Sequence, residues 1–554
     1  MALVLAIMVF ASMSAFATDP EPTTQDAQAV GSATATITAP TGDHQYEVYQ
    51  IFAGEISTNG AGKKVLSNTI WGSNSTNRGT GVNVGDAVDE SVLNTLKALT
   101  GTDATVLATI DDYVDLTGLP VAIITNGAVA TVPTGYYLIK DKDGTVSGDD
   151  AYTQYIVQIV DPVTIQPKAD TPSSEKKVKD KNDSATTAAA VETDWVDTAD
   201  YDIGDEISYK ITATIPATVR LDDFSTYKLN FIDTMSKGLT YKDGSSKVYV
   251  DDVLVKDATD PEKDLVLEPS SANYTGTDSA YTDGGKVLTW AIANIKAAPY
   301  NVTTQGSAHT VRIEYVATLN SNAVSGTAGN PNKMHIEFSN NPHSTDDTGS
   351  TEDDTNIVFT FDLIVNKVDE NSGDLDGAHF ALFKRYTSGA PVGKTTSDAV
   401  TSVTYNNGNS TYTFTGTTWY KVAELTTGNE FRFDGIDDGD YVLVETATPT
   451  GYNSVAPYKF TISATHTDAT LSLDSLQGVD ASKTGDDLKV NLGGMEATVT
   501  LAAGELEGDV ENRSGATLPS TGGIGTTIFY VAGSILVLAA AILLITKRRM
   551  GAND

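Results

Sequence analysis

Apolar segments stand at both ends of the chain and decide where the residues between them fold. The first runs from Met1 to Ala17 and ends at Ala15-Phe16-Ala17, the A-x-A pattern of a signal-peptide cleavage site. The second is uncharged from Ile524 to Thr546, which is long enough to cross ~30 Å of hydrocarbon. Lys547-Arg548-Arg549 follow it and favour a cytoplasmic tail. The sequence therefore predicts an exported chain whose folded part lies outside the cell.

These end segments set the outer boundaries. We expect a signal peptide at residues 1–17, with a truncated start because no basic residue precedes the apolar run. A polar leader is expected at 18–32. At the other end we expect a transmembrane helix at 524–546 and a cytoplasmic tail at 547–554.

The exported part has the pattern of β-sandwiches. Short alternating runs and turn pairs recur along it, as in Ile207 to Pro216, where apolar and polar residues alternate until a proline ends the run. Helical spacing of apolar residues is found mainly from Asp89 to Leu99. A 554-residue chain is too long for one core and suits about three domains. The sequence predicts an all-β fold of tandem immunoglobulin-like sandwiches, with some helix in the N-terminal domain.

Two linkers divide the exported part into three domains. A proline-flanked linker, Gln166 to Pro172, follows an N-terminal domain predicted at 33–168. An acidic Ser/Thr linker, His343 to Asp354, separates a middle domain at 173–345 from a C-terminal domain at 359–513.

Charge and residue counts narrow the function. The net charge of −37 disfavours nucleic acid and anionic membrane surfaces as partners. The chain has no cysteine, which excludes disulfides and thiol catalysis, so a secreted multidomain protein needs another brace. Its six histidines are scattered without metal-ligand spacing. The acidic loop Asp434 to Asp440 is expected to be a solvated turn, and calcium binding by such loops stays an open alternative. We therefore expect no metal, no cofactor and no enzyme acting on an external substrate.

A short motif, Leu518-Pro519-Ser520-Thr521-Gly522, stands just ahead of the C-terminal apolar segment. Motif, span and basic cluster, in this order, resemble the LPxTG sorting signal that sortases recognise in Gram-positive bacteria. The resemblance implies cleavage between Thr521 and Gly522 and transfer of the Thr521 carbonyl to an amine. It also implies anchoring to the cell wall.

Several further motifs resemble the major (backbone) pilins of Gram-positive sortase-assembled pili, of the SpaA or type 2 fimbrial kind. Lys367-Val368-Asp369 and Gly377 to Phe383 are similar to the opening of a CnaB domain. Gly439 to Thr446, followed by Pro449 to Tyr452, resembles the E-box of that family, and Glu511-Asn512 lies where its last strand is expected. The resemblance covers almost the whole chain and implies Cna-type sandwiches.

The resemblance implies an isopeptide bond between Lys367 and Asn512 in the C-terminal domain, with Glu445 as the catalytic acid. Lys367 follows Val365 by two residues and Glu445 follows Tyr441 by four, so on a strand each shares a face with an apolar residue and is expected to point inward. Burial favours a neutral amine and a protonated carboxyl. A neutral amine is a nucleophile, and the acid polarises the amide that it attacks.

The middle domain offers a parallel set of residues. Lys176 is the expected amine, Asp233 the expected acid and Asn340 the expected amide, since Lys176 and Asn340 share parity with apolar neighbours. Three alternatives stay open, which are Lys177 for the amine, Asp205 for the acid and Asn341 for the amide.

A polymer also needs an amine that accepts the next subunit. Ile159 to Lys168 resembles the pilin motif WxxxVxVYPK, although Ile159 replaces the tryptophan and Gln166 the tyrosine. The resemblance implies that Lys168 is the acceptor. The linker between two rigid domains would leave this lysine accessible to a sortase.

The sequence thus predicts a structural protein, the shaft subunit of a cell-surface pilus. The resemblance implies a pilus-class sortase, a housekeeping sortase, identical subunits joined head to tail, minor tip and base pilins, and peptidoglycan as partners, with a host surface ligand possible in addition. The alternative is a wall-anchored monomeric adhesin that binds a host matrix protein through the same sandwiches. Ladders of detergent-resistant polymers would distinguish the two.

Overall fold

The computed structural model consists of three strand-built domains and one C-terminal helix. The all-β prediction is confirmed. The structure describes residues 29–60, 62–98, 109–146, 151–165, 171–219, 221–257, 259–260, 262–303, 307–341, 347–415, 418–480, 498–515 and 524–550. The signal peptide at 1–17, Lys168 and the motif at 518–522 lie outside these ranges.

The first domain packs two small sheets around a core that includes Ile37, Tyr46 and Tyr137. Its strands are β1 Thr34–Thr38, β2 Gln45–Thr58, β3 Lys64–Trp71, β4 Ala122–Thr125, β5 Val129–Pro133, β6 Gly135–Asp141, β7 Gln154–Ile159 and β8 Val163–Thr164. One sheet has the order β5-β1-β8 and the other β3-β2-β6-β7, with β4 paired to β2. The predicted helix is confirmed as α1, Glu90–Lys97, which begins after Asp89 because that carboxylate caps the backbone nitrogen of Ser91 at 2.7 Å.

The middle domain is a sandwich of two seven-stranded sheets. Its strands are β9 Ser173–Lys181, β10 Glu192–Val196, β11 Thr198–Asp200, β12 Glu206–Ile215, β13 Leu229–Met235, β14 Leu239–Tyr241, β15 Lys247–Val250, β16 Val253–Leu254, β17 Ser270–Asn273, β18 Lys286–Ile292, β19 His309–Leu319, β20 Asn330–Ser339, β21 Thr348–Ser350 and β22 Asp354–Phe359. One sheet runs β10-β9-β12-β19-β15-β16 with β14 on β19, and the other runs β11-β22-β20-β13-β18-β17 with β21 on β20. Alternate residues of β12, β19 and β20 are buried, as the period-two pattern predicts.

The end of the middle domain differs from the sequence prediction. The predicted linker, His343 to Asp354, contains β21, and β22 follows beyond the predicted boundary at residue 345. β22 pairs antiparallel with β20 and parallel with β11, and Val358 joins the core. The middle domain therefore extends to Phe359. β21 and β22 were missed from the sequence because both strands are short and the residues before β22 have the acidic, Ser/Thr-rich composition of a linker.

The third domain brings its first and last strands together. Its strands are β23 Phe361–Asp369, β24 His379–Tyr386, β25 Ser402–Tyr405, β26 Ser410–Thr413, β27 Thr418–Leu425, β28 Glu430–Ile436, β29 Gly439–Ala447, β30 Tyr458–Thr467, β31 Ser472–Asp480, β32 Thr498–Thr500 and β33 Glu505–Asn512. One sheet has the order β28-β23-β33-β32, the other β27-β24-β29-β30-β31, and β25 and β26 form a separate hairpin. β23 and β33 are parallel, so the first and last strands lie side by side, and the chain enters at one end of this pair and leaves at the other.

The C-terminal helix is α2, Ile524–Met550. Its stretch Ile528–Arg548 is long and apolar enough to cross a membrane, in agreement with the predicted span.

Candidate functional site

The third domain places a lysine, a glutamate and an asparagine in its interior. Lys367 and Asn512 lie on the paired strands β23 and β33, whereas Glu445 lies on β29 of the opposite sheet. Lys367 and Asn512 are 0% exposed and Glu445 is 1% exposed. The Lys367 Nζ atom donates to the backbone oxygens of Val510 at 2.7 Å and Val368 at 3.1 Å. The structure thus brings together all three residues that the sequence singled out in this domain.

A direct hydrogen bond joins the acid to the amide. Asn512 Nδ2 donates to Glu445 Oε1 at 2.8 Å, while Glu445 Oε2 accepts from Thr448 Oγ1 at 3.0 Å and from the backbone nitrogen of Val455 at 3.3 Å. Asn512 Oδ1 is buried and has no hydrogen-bond partner among the described residues. The hydrogen bond from the Asn512 amide nitrogen to Glu445 therefore fixes the orientation of the whole side-chain amide.

Burial shifts both titratable groups toward their neutral forms. It lowers the pKa of Lys367 to about 8, against the opposing attraction of Glu445 and Glu511. It also raises the pKa of Glu445, against the opposing hydrogen bonds from Asn512 and Thr448. A neutral amine beside an amide that contacts a protonated carboxyl has the components needed for attack on the amide carbon with expulsion of ammonia.

The middle domain holds a second buried lysine and acid. Lys176 Nζ contacts Asp233 Oδ2 directly and lies 2.9 Å from the hydroxyl of Tyr315, and both ionisable side chains are 0% exposed. The Tyr315 hydroxyl lies 3.0 Å from Asp233 Oδ2. The rings of Tyr209 and Tyr315 flank the amine, with centroids 5.0 and 5.3 Å from Nζ. Burial lowers the pKa of Lys176 and raises the pKa of Asp233, although each group opposes the shift of the other.

The predicted amide, Asn340, is not at this site. Asp233 pairs with Met334, whereas Asn340 follows the end of β20, six residues farther along the chain. At ~3.3 Å per residue, that distance is far beyond the reach of a lysine side chain. The prediction of Asn340 as the partner of Lys176 is therefore corrected by the strand register.

Two other buried asparagines lie beside Lys176. Asn332 Nδ2 donates to the Tyr315 hydroxyl at 2.9 Å and also hydrogen-bonds Asp233, and Asn356 Nδ2 lies 3.3 Å from the backbone oxygen of Lys176. Asn332 and Asn356 face each other across β20 and β22. Sequence reasoning missed both. Asn332 lies on β20 and has the same parity as Asn340, which follows the end of that strand, so alternation alone could not choose between them. Asn356 lies beyond residue 345, the boundary predicted for the middle domain.

The alternative residues have other surroundings. Lys177 points away from the core toward Asp197, with Nζ 2.8 Å from Oδ1. Asp205 lies 3.5 Å from Lys181 Nζ, and Asn341 donates to Asp143 of the first domain at 2.8 Å. None of the three contacts the Lys176–Asp233 pair in the described part of the chain.

Two family models match parts of this chain. Residues 361–476 match the SpaA prealbumin-like fold domain, and residues 511–550 match the LPXTG cell wall anchor motif. The trypsin-resistant surface T6 protein of Streptococcus pyogenes serotype M6 is 26% identical over 390 residues, which cover 62% of this chain and 68% of that protein. The chain therefore contains a SpaA-type prealbumin-like domain and an LPXTG cell wall anchor, as expected from its resemblance to sortase-assembled major pilins of Gram-positive bacteria. The chain is anchored to the cell wall, at the cell surface.

Two solved structures of pilins match the fold of this chain over most of its length. The T6 backbone pilin of serotype M6 Streptococcus pyogenes is 17% identical, with a TM-score of 0.46, and the match covers 88% of this chain and 100% of that one. The major pilin SpaA of Corynebacterium diphtheriae is 12% identical, with a TM-score of 0.40, and the match covers 87% of this chain and 100% of that one.

In the variant Asn512→Ala the Lys367 amine stays free. Its lowered pKa predicts that the free energy of unfolding of this variant depends on pH. An unfolded lysine has a pKa of about 10.4, whereas the folded value is about 8. Between these values the unfolded chain binds more protons, so the free energy of unfolding rises with pH. Urea unfolding, followed by fluorine NMR of fluorotryptophan at Trp419, should show third-domain stability increasing from about pH 8 to about pH 10.4.

The matched control is Lys367→Met in the same Asn512→Ala background. It removes the buried amine and keeps every other titrating group. An equally steep rise in this control would assign the pH dependence to other groups and contradict the prediction.

Proposed function

We propose that this pilus shaft subunit is braced by internal Lys–Asn isopeptide bonds and polymerised by sortase through an amide bond between Thr521 and Lys168. The observation that carries the brace is the Asn512–Glu445 hydrogen bond of 2.8 Å beside the buried Lys367. Three polar side chains buried in one core are costly unless they form hydrogen bonds or react with one another. Their chemistry offers a reason for placing them together.

The proposed reaction in the third domain is a transamidation. Neutral Lys367 Nζ attacks Cγ of Asn512, while the Glu445 carboxyl, bonded to the amide, stabilises the tetrahedral intermediate and delivers a proton to its nitrogen. The C–N bond to the amide nitrogen breaks and ammonia leaves. The proton lost by the lysine nitrogen returns to Glu445, so the acid is regenerated. The product is a secondary amide between β23 and β33.

In the middle domain we assign the corresponding roles to Lys176, Asp233 and Asn332. The Tyr315 hydroxyl contacts all three residues and holds the amine, the acid and the amide in one group. Asn356 instead donates to the backbone of Lys176 and to Asp197 Oδ1, at 3.3 and 3.2 Å. These bonds position β9 against β22 and give Asn356 a structural role.

The location of the proposed bonds suits a protein under tension. The third-domain bond would close a loop of roughly 150 residues, worth ~4–5 kcal/mol if the chain-entropy treatment of disulfides applies. Because it joins the first and last strands, force entering at one would pass to the other without unfolding the strands between them. This brace serves a chain that has no cysteine.

The polymer bond would connect two places at the ends of this braced unit. Lys168 lies between β8 of the first domain and β9 of the middle domain, and Thr521 follows β33 by nine residues. A pilus-class sortase would transfer the Thr521 carbonyl of one subunit to Lys168 of the next. A housekeeping sortase would transfer the last one to peptidoglycan, with minor pilins at tip and base.

The assignment of Asn332 as the middle-domain amide predicts how many ammonia molecules the wild type and three variants lose. Wild-type protein should be lighter than its sequence by two ammonia molecules, one for each bond. Asn332→Ala should lose only one, because the middle domain then lacks an amide beside Lys176. Asn340→Ala and Asn356→Ala are the matched controls and should still lose two. Intact mass spectrometry measures all four proteins, and a loss of two ammonia molecules from Asn332→Ala would refute the assignment.

The acceptor assignment predicts that Lys168→Arg abolishes polymers but keeps wall anchoring. A guanidinium stays protonated and is a poor nucleophile, so charge is preserved while transfer stops. Immunoblots of boiled wall extracts should show monomer without a ladder, whereas the Lys179→Arg control should give the normal ladder. If Lys168→Arg also forms a normal ladder, the acceptor is another lysine.

A further inference from the structure

The junction between the middle and third domains contains three carboxylates that come from both sides. Asp200 ends β11 of the middle domain, and Asp437 and Asp438 lie between β28 and β29 of the third domain. One oxygen from each residue lies within 4.8 Å of the other two. Asp437 is 0% exposed, Asp200 is 3% exposed and Asp438 is partly buried. We call these three residues the junction carboxylates.

The nearby donors occupy only part of these side chains. Lys384 Nζ lies 3.0 Å from Asp437 Oδ2, and Asn182 Nδ2 lies 2.6 Å from Asp438 Oδ2. The other oxygens, Asp437 Oδ1 and Asp438 Oδ1, are buried and have no hydrogen-bond partner within the described part of the chain. The completely buried side chain of Asp437 thus offers one unpartnered oxygen to a cluster of carboxylates.

Lys384 cannot neutralise the whole cluster. Its ammonium also lies 2.6 Å from Asp202 Oδ2 and 3.6 Å from Asp183 Oδ2. Buried carboxylates at such short separations need a compensating positive charge or bound protons.

A calcium ion fits the chemistry of these ligands. Ca²⁺ prefers oxygen ligands at ~2.3–2.6 Å, tolerates irregular geometry and accepts carboxylates in one- or two-oxygen modes. Oxygens within 4.8 Å of one another can therefore all reach one ion. Mg²⁺ requires ~2.0–2.1 Å and a near-ideal octahedron, and it usually retains several waters. An all-aspartate set gives no nitrogen or sulfur ligand that would favour a transition metal.

We propose that Asp200, Asp437 and Asp438 bind one Ca²⁺ that links the middle domain to the third domain. The ion would reinforce existing contacts across the same junction, where the backbone nitrogen of Asp437 donates to Asp202 Oδ1 at 2.9 Å and that of Ile203 donates to the Gly435 oxygen at 2.8 Å. It would stiffen the joint that the internal isopeptide bonds leave unlinked. The site differs from the sequence expectation of a solvated turn at Asp434 to Asp440.

Calcium titration of the full chain tests the site. The protein, purified in detergent and stripped with a chelator, is titrated with CaCl₂ in an isothermal calorimeter at neutral pH. Wild type should bind one Ca²⁺. Asp437→Asn and Asp200→Asn, in opposite domains, should each weaken Kd by about 10–100-fold, the range seen when support of a metal site is lost. Asparagine keeps an oxygen for Lys384, and circular dichroism shows whether each variant is folded.

The matched control is Asp434→Asn, which removes an exposed carboxylate near the same turn. Its Kd should equal that of wild type. The proposal is overturned if folded wild type shows no saturable calcium binding, if either junction variant binds as tightly as wild type, or if Asp434→Asn weakens binding to the same extent. Tighter binding of MgCl₂ than CaCl₂ would overturn the assignment of the ion.

Discussion

The burial of a lysine amine and a carboxyl within the same sandwich core is the constraint that the third and middle domains share. Water stabilises an ammonium and a carboxylate strongly, so removing both from solvent favours their neutral forms. In the third domain this raises the pKa of Glu445 and lowers that of Lys367 to about 8. The sandwich core would therefore generate the proposed nucleophile and the proposed acid where the first and last strands pair. The same packing stabilises the sandwich and would shift both groups toward the neutral forms that the proposed transamidation requires.

The third-domain site was predictable from sequence because its information is local. Period-two alternation turns Lys367 inward with Val365, and the motif from Gly439 to Thr446 does the same for Glu445. Asn512 is predicted from the resemblance of Glu511-Asn512 to the last strand of the family, and the structure pairs that strand, β33, with β23. The all-β class and the short helix α1 followed from the same kind of pattern.

The middle-domain amide was not predictable in this way. Asn332 on β20 and Asn340 just beyond its end have the same parity, and alternation cannot say which of them lies near Asp233. That choice depends on strand register, which long-range pairing sets. The junction carboxylates were missed for a related reason, because Asp200 and Asp437 are far apart in sequence and meet only when two domains pack. Sequence patterns place side chains on faces, whereas contacts between domains require the fold.

The proposed bonds and the domain junction act on different parts of the same shaft. A covalent bond inside a domain prevents that domain from extending, and it does not restrain the angle between neighbours. The contacts between Asp202 and Asp437, and between Ile203 and Gly435, restrain that angle. In this proposal a chain without cysteine uses amide bonds within its domains, and buried polar contacts join the domains to one another.

The most direct test of the account is the mass of the third-domain peptides. After tryptic digestion of the mature protein, tandem mass spectrometry should find one branched species that joins the peptides containing Lys367 and Asn512 and is lighter than their sum by one ammonia. Glu445→Ala should give the two peptides separately, at their full masses. Separate, unmodified Lys367 and Asn512 peptides from the wild type would contradict the account.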